Sequence, residues 1–150
     1  MPSYRSTASF GKRQEYVVIG ELLRRGFDVY QTLVDDQGID CIVRQEKGDQ
    51  VRYLEIQIKA RSKDCLPRNA GRFPVMEIPK PRDTYYFIFY SEQADCYWVI
   101  PSLQLVKEAL QMKTGANRGK YGINFCNVRA NARPRFDSYK GRFDLLQWTE

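Results

Sequence analysis

The chain has 150 residues, 43% of them hydrophobic, so it is long enough to bury a core and fits a single domain over residues 1–150. It contains no histidine, which excludes catalytic triads with an imidazole base and zinc sites with histidine ligands. The net charge is +6, and residues 109–136 hold six basic and no acidic side chains, a pattern that indicates a polyanionic partner or, more simply, a solvated loop.

Nothing in the sequence indicates a membrane-spanning or secreted protein. No segment approaches the roughly 20 consecutive apolar residues that a membrane helix needs. The first residues, MPSYRSTASFGKR, lack the apolar stretch of a secretory signal. We therefore expect a soluble, cytoplasmic protein with no membrane partner, associated with the nucleoid if its partner is DNA.

The first half of the chain combines one helical pattern with several strand patterns separated by turn residues. The predicted elements are, in order, a helix (11–25), two strands (27–34 and 39–44), a hairpin turn (46–50) and a long strand (51–61). The helix is expected to end at Gly26, because glycine readily adopts the left-handed conformation that closes helices.

The second half begins with an irregular segment, residues 62–83, that contains four of the seven prolines. The elements predicted after it are two aromatic strands (85–90 and 96–100), a helix (102–112) with Ser102 as its N-cap, and a short amphipathic helix (139–147). This order predicts an α/β or α+β core with a mixed sheet. The aromatic strands suit either a subunit interface or an ordinary core.

The strand 51–61 reads VRYLEIQIKAR and carries its polar side chains on one face. Side chains alternate between the faces of a strand, so Glu55, Gln57 and Lys59 lie opposite the apolar residues that face the core. On a buried sheet, these polar groups would need hydrogen-bond partners or a metal ion. The alternative is a solvated face with an incidental ion pair.

Two carboxylates upstream are expected to approach this polar face. Asp40 follows a tight turn, and pairing through the hairpin would bring it beside Gln57 and Lys59, although a register shift of one residue would reverse its face. Glu15 lies on the apolar stripe of the first helix and is therefore directed inward. The alternatives are a turn residue bonding its own backbone at Asp40 and a first-turn glutamate favoured by the helix dipole at Glu15.

Glu15, the GID segment ending at Asp40 and the QIK segment at 57–59 together resemble the PD-(D/E)XK nuclease superfamily, in the branch where glutamine replaces the second acidic residue. The helix followed by Gly26 and Phe27 is also similar to archaeal Holliday junction resolvases. The length and whole sequence are similar to homing endonucleases of this superfamily encoded in cyanobacterial group I introns. The resemblance covers about residues 11–61, more weakly to residue 100. It implies a restriction-endonuclease-like mixed sheet flanked by helices, with a DNA-reading loop or hairpin insertion.

The resemblance further implies a sequence-specific, metal-dependent endonuclease, of the homing type, that hydrolyses phosphodiesters in both strands of DNA with Mg²⁺ or Mn²⁺. Asp40 would be the main metal ligand, with the Gln57 amide oxygen, the Ile58 carbonyl and Glu15 completing the site. Lys59 would orient the attacking water. Glu15 or Glu55 could replace the charge lost at Gln57. The alternatives are a junction resolvase, a restriction-type nuclease and a non-catalytic DNA-binding module.

Double-stranded DNA is the expected partner, held by basic residues after the long strand and in the C-terminal basic segment. The irregular segment 62–83 could instead be a structural cover over the sheet. Because one active site cuts one strand, cleavage of both strands predicts a homodimer or homotetramer. The candidate DNA-binding residues are Arg61, Lys63, Arg68, Arg72, Lys80, Arg82, Arg118, Lys120, Arg129, Arg133 and Arg135.

Overall fold

A computed structural model describes residues 6–34, 37–125 and 136–148. The helices and strands over this part of the chain are, in order, α1 (Thr7–Arg24), β1 (Asp28–Gln31), β2 (Cys41–Lys47), β3 (Gln50–Arg61), β4 (Arg72–Met76), β5 (Tyr85–Ser91), β6 (Cys96–Pro101), α2 (Ser102–Glu108), β7 (Leu110–Gln111) and β8 (Tyr121–Asn124). The predicted α+β class is confirmed. None of the described helices is long and apolar enough to cross a bilayer.

Helix α1 begins earlier than the sequence pattern indicated. The side-chain oxygen of Ser6 accepts a hydrogen bond from the Ser9 backbone nitrogen at 3.2 Å, so Ser6 is the N-cap and the helix starts at Thr7. The helix ends as predicted, with Gly26 at a φ of +88° directly after the last turn. Its buried side includes Val18 and Leu22, which pack against the sheet.

The main sheet has five strands in the order β1-β2-β3-β5-β6. β1, β2 and β3 pair antiparallel, β3 and β5 pair parallel, and β5 and β6 form an antiparallel hairpin. The sheet is therefore mixed, as predicted. β1 is shorter than the strand expected over 27–34, whereas β3 differs from its predicted bounds by only one residue.

Both faces of this sheet are covered, which gives two apolar cores. One core lies between the sheet and α1 and includes Val43, Leu54 and Ile56. The other lies on the opposite face and is largely aromatic, with Phe87 and Phe89 at its centre. A strand buried on both faces has no polar alternation, which explains the continuous run YYFIFY in β5. The aromatic strands thus form core rather than an exposed subunit interface.

A second sheet, in the order β4-β8-β7, was not predicted. β4 lies inside the segment expected to be irregular, and its antiparallel partner β8 lies inside the basic stretch near the C-terminus. Phe73 of β4 and Ile123 of β8 pack into the aromatic core, so burial compensates for the shortness of these strands. The segment expected to form a hairpin insertion therefore contributes a single strand, β4, at one edge of a three-stranded sheet.

The predictions for the last two helices were wrong in detail. Pro101, not Ser102, occupies the N-cap position of α2, and the Ser102 hydroxyl instead donates to the carbonyl of Arg82 at 2.8 Å. α2 ends at Glu108 because Leu110–Gln111 pair with β8. The segment expected as a helix over 139–147 is broken at a glycine with a φ of +66°. It forms 3₁₀ turns at Asp137–Tyr139 and Phe143–Leu146.

Candidate active site

A cavity of about 740 Å³ opens between the N-terminal half of α1 and the C-terminal end of β3. The four residues expected to act in catalysis all line it, namely Glu15, Asp40, Gln57 and Lys59. They come from three separate parts of the chain, α1, the residue preceding β2, and β3. The fold therefore brings these residues to one site, and most of its lining comes from β3 and α1.

Asp40 is held by the backbone of β3. Its side chain is almost completely buried, with 3% of the residue surface exposed. Its backbone nitrogen donates to the Ile56 carbonyl at 2.8 Å, so Asp40 extends the register in which Cys41 pairs with Ile56. Its Oδ2 accepts from the Ile58 backbone nitrogen at 2.6 Å and from Gln57 Nε2 at 2.9 Å. Both donors belong to β3, so this strand determines where the Asp40 carboxylate lies.

Gln57 is also buried, with 8% of its surface exposed, and its amide lies between Asp40 and Tyr85. Its Nε2 faces Asp40, while its Oε1 lies 3.5 Å from the hydroxyl of Tyr85. The sequence-based role needs the amide oxygen at the metal. In the arrangement seen here, the nitrogen occupies that side, and a half-turn of the amide plane would exchange the two atoms.

The backbone carbonyl of Ile58 lies on the same side of β3 as Asp40. Its N–H faces Asp40, on the edge of β3 that pairs with β2. The N–H and C=O of one residue in a strand point to the same edge, so the carbonyl lies on the Asp40 side. β2 pairs with β3 only as far as Cys41, opposite Ile56, and Ile58 lies beyond that point.

Glu15 lines the cavity from α1, and it pairs with Lys12, an exposed lysine outside the cavity lining that the sequence pattern did not single out. Glu15 Oε2 accepts from Lys12 Nζ at 2.8 Å. This hydrogen bond is the main reason that the pKa of Lys12 is raised, and the charge of Asp40 acts in the same direction. The spacing of three residues on one helix face was the available signal for this pair.

The pKa of the Cys41 thiol is affected by the two carboxylates of the cavity, Asp40 and Glu15. Burial is the main cause that raises the pKa of Cys41 to about 12. The negative charges of Asp40 and Glu15 add to this effect, since both disfavour a thiolate. Cys41 therefore remains a neutral core residue behind a negatively charged cavity wall.

Glu55 does not line this cavity. Its Oε2 accepts a hydrogen bond from the guanidinium of Arg82, which also donates to the Lys80 carbonyl at 2.7 Å. The same guanidinium lies over the ring of Tyr85, 4.6 Å from its centre. Glu55 therefore lies outside the cavity and is not placed to supply the negative charge that Gln57 lacks. Arg82, a candidate for DNA contact, instead stabilises the segment that leads into β5.

Among the basic candidates, Arg61 lies closest to the predicted chemistry. It lines both the main cavity and a smaller pocket of about 160 Å³, which it shares with Asn69 and Arg72. Its Nε atom is buried and has no hydrogen-bond partner among the described residues. The structure does not bring Lys63, Arg68, Lys80, Arg118 or Lys120 to the main cavity. Arg129, Arg133 and Arg135 lie outside the described residues.

The donor atoms around the cavity suit a hard cation such as Mg²⁺. Asp40 and Glu15 offer carboxylate oxygens, Gln57 an amide oxygen and Ile58 a backbone carbonyl, which are the ligand types that Mg²⁺ prefers. Within residues 6–34, 37–125 and 136–148, no three side chains from His, Cys, Asp and Glu are grouped to hold a metal ion. A metal ion in this cavity would therefore need the amide and backbone oxygens as well as the carboxylates.

No protein-family profile matches the chain, and no curated protein sequence does either. Among solved structures, the chain is similar to the bacterial homing endonuclease I-Ssp6803I, with a TM-score of 0.62 and 19% identity, over 94% of this chain and 91% of that one. It is also similar to Hjc, a Holliday junction resolvase from Archaeoglobus fulgidus, with a TM-score of 0.52 and 12% identity, over 93% and 98% of the two chains. The chain therefore has the restriction-endonuclease-like fold of the PD-(D/E)XK nucleases.

Proposed function

We propose that the protein is a sequence-specific, metal-dependent endonuclease of the homing type that cuts both strands of DNA. The observation that carries this proposal is the convergence of Glu15, Asp40, Gln57 and Lys59 on one cavity. The likeness of the fold to a homing endonuclease over nearly the whole chain supports it. We further propose that it acts in the cytoplasm, in association with the nucleoid.

Asp40, Glu15, the Gln57 amide oxygen and the Ile58 carbonyl would hold the metal ion, Mg²⁺ or Mn²⁺. When bound, such an ion lowers the pKa of a water molecule and offsets charge on the phosphate. Asp40 is well suited as the principal ligand because the β3 backbone fixes its carboxylate. Glu15 lines the cavity from α1 and would add a second carboxylate to the metal site.

Lys59 would complete the chemistry. It follows Gln57 on the same face of β3 and lines the cavity. Its ammonium group would orient the attacking water by hydrogen bonding and stabilise the negative charge that grows on the phosphate in the transition state. This role needs a positive charge at the cavity, and a neutral side chain of similar length would not supply it.

Two features of the cavity favour a phosphate close to these residues. Ser6 and Thr7, at the N-terminus of α1, line it, and the first turn of this helix has no acidic side chain. The partial positive charge at a helix N-terminus attracts anions. Arg61 adds a full positive charge at the other end, between the cavity and the smaller pocket. The DNA backbone would therefore run from α1 towards Arg61.

Sequence reading and assembly extend the proposal. Arg72 lies on β4 of the second sheet, where it borders the smaller pocket that Arg61 also lines, and Arg118 lies in the connection between β7 and β8. Such a sheet could present arginines to base edges in a groove. Cutting both strands needs two active sites, so we propose a homodimer or a homotetramer.

The proposal is tested by incubating the protein with a pool of duplex DNA sequences, with and without Mg²⁺. We expect discrete fragments only with Mg²⁺, and their loss in Lys59→Met. Lys107→Met is the matched control, because Lys107 is an exposed lysine of α2 outside the cavity. Cleavage by Lys59→Met at the rate of Lys107→Met would overturn the assigned role of Lys59. DNA binding without any metal-dependent cutting would point to a binding module.

A junction resolvase is the second candidate, because the fold is also similar to that of a Holliday junction resolvase over 93% of the chain. The same catalytic residues serve either substrate, and loops decide between them. A competition between a four-way junction and linear duplexes distinguishes the two. Preferential, sequence-independent cutting of the junction would favour the resolvase.

A further inference from the structure

The hydroxyl of Tyr85 connects the turn before Asp40 to the side chain of Gln57. Tyr85 lies at the start of β5 and is fully buried. Its hydroxyl donates to the carbonyl of Gly38 at 2.6 Å and lies 3.5 Å from Gln57 Oε1. Neither the sequence pattern nor the proposed catalytic roles account for a buried hydroxyl at this position.

The chemistry of a hydroxyl decides what it offers to Gln57. A tyrosine hydroxyl has one proton to donate, and here the short bond to Gly38 uses it. Towards Gln57 it therefore presents oxygen lone pairs. An amide oxygen facing these lone pairs gains no hydrogen bond, whereas an amide N–H in the same place would donate to them.

The surroundings leave the amide of Gln57 room to turn but little room to move away. A Cβ atom placed on Gly38 would lie 2.7 Å from Gln57 Oε1 and 3.1 Å from the Tyr85 hydroxyl. The turn therefore packs directly against the amide. The two orientations of the amide plane, related by a half-turn, are the alternatives open to this side chain.

We propose that Tyr85 is a positioning residue that selects the orientation of the Gln57 amide in the metal-bound protein. In the orientation seen here, Nε2 donates to Asp40. After a half-turn, Nε2 donates to the Tyr85 hydroxyl, and Oε1 faces the Asp40 side of the cavity as a ligand. The inference rests on the proposed metal site and names the residue that makes a glutamine usable in it.

A cation beside Asp40 makes this half-turn necessary, because an amide NH₂ group cannot face a metal ion. Without Tyr85, the N–H groups of the turned amide would lose the hydroxyl as their acceptor, which weakens metal binding. A glutamate at position 57 would not need the hydroxyl, since the two oxygens of a carboxylate are equivalent. Tyr85 should therefore matter only when residue 57 is an amide.

This difference defines a double-mutant cycle with Tyr85→Phe, Gln57→Glu and the double variant. Mn²⁺ affinity is measured without DNA by titration calorimetry, and circular dichroism checks each fold. We expect Tyr85→Phe to weaken Mn²⁺ binding about 10-fold in the Gln57 background and to have little effect beside Gln57→Glu. Equal weakening in both backgrounds would mean that Tyr85 only supports the Gly38 turn, and no weakening in either would also overturn the proposal.

A second measurement needs no variant of Tyr85. Nuclear Overhauser contacts of the Gln57 side-chain NH₂ protons are recorded in the wild-type protein with and without Mg²⁺. We expect contacts to the Tyr85 ring to increase when Mg²⁺ is added, and the same contacts in both states would overturn the half-turn.

The proposed metal site is tested separately by Asp40→Asn. If wild-type Mn²⁺ binding is lost in Asp40→Asn but unaffected by Tyr85→Phe, only the present inference fails, whereas no Mn²⁺ binding by the wild type overturns both.

Discussion

Oδ2 of Asp40 lies 2.6 Å from the backbone nitrogen of Ile58, so a side chain continues the hydrogen bonding of β3 past the start of β2. The carboxylate is thus held by a main-chain donor in addition to the side chain of Gln57. In the proposed role, a ligand held in this way would already be in place before a metal or a substrate arrives, which lowers the cost of organising the site.

Replacing Asp40 with asparagine tests the charge of this group separately from its hydrogen bonds. The amide oxygen of Asp40→Asn can still accept from the Ile58 N–H, so we expect the fold to be kept. The lost negative charge should reduce the cleavage rate by about 100-fold or more, since electrostatic groups at active sites have effects of this size. Initial rates on the target duplex measure the change, and anisotropy checks that DNA still binds.

Asp49→Asn is the control for this variant. Asp49 is an exposed aspartate in the turn between β2 and β3, away from the cavity. Its replacement should leave the rate unchanged. Cleavage by Asp40→Asn within a few fold of the Asp49→Asn rate would show that Asp40 does not bind the metal.

Gly38 should be sensitive to a methyl group for two separate reasons. Its φ is +71°, which an alanine adopts at a cost of about 1–2 kcal/mol. Its Cβ would also lie 2.7 Å from Gln57 Oε1. Gly48→Ala isolates the first effect, because Gly48 has a φ of +58° and nothing within 4 Å of its Cβ position.

We expect both alanine variants to lower the free energy of unfolding in urea, with the larger loss for Gly38→Ala because of its added contact. Cleavage should fall only in Gly38→Ala, where the displaced amide lies in the active site. Equal rates for the two variants would mean that Gln57 tolerates movement and is not a metal ligand. Urea midpoints and initial rates measured on the same preparations give both quantities.

The placement of Asp40 beside Gln57 could be predicted because it depends on local sequence. A tight turn at Gly48 joins β2 to β3, and a short hairpin fixes the register of its strands over their whole length. Counting back along the two strands from this turn brings Asp40 opposite Gln57. The alternation of side chains then places both residues on one face.

The features that could not be predicted depend on pairs distant in sequence. β4 and β8 form a sheet although each is short and the two strands lie far apart in the sequence. Tyr85 reaches Gln57 only because β5 pairs parallel with β3 after a long crossover. Arg82 looked like a DNA contact because nothing in the local pattern places it next to Glu55. Register across a crossover is set by packing and not by local turn chemistry.

Glu15 and Glu21 provide a matched pair on one helix. Each accepts a hydrogen bond from a basic residue on α1, but only Glu15 lines the cavity. We expect Glu15→Gln to reduce cleavage by about 10- to 100-fold at a fixed low Mg²⁺ concentration, because it removes a charge near the metal. Raising the Mg²⁺ concentration should restore part of the rate.

Glu21→Gln should keep its cleavage rate at every Mg²⁺ concentration, because neither Glu21 nor its partners Arg24 and Arg25 line the cavity. Its thermal stability should fall only slightly, as is usual for exposed pairs within a helix. A rate for Glu15→Gln that matches Glu21→Gln at low Mg²⁺ would assign Glu15 to its ion pair with Lys12 alone.

Arg61 and Arg82 differ in the contacts that they make within the protein. Comparing variants of the two shows whether this difference separates a DNA-binding arginine from a structural one. Arg61 borders the cavity with a buried Nε that has no hydrogen-bond partner among the described residues. Arg61→Gln should therefore weaken DNA binding and reduce the slope of log affinity against log salt by about one. Arg82 already contacts Glu55 and the Tyr85 ring. Arg82→Gln should keep the wild-type slope and lose about 1 kcal/mol of stability. If the salt slope falls in Arg82→Gln and not in Arg61→Gln, the DNA backbone crosses the protein at the start of β5 and not at the end of β3.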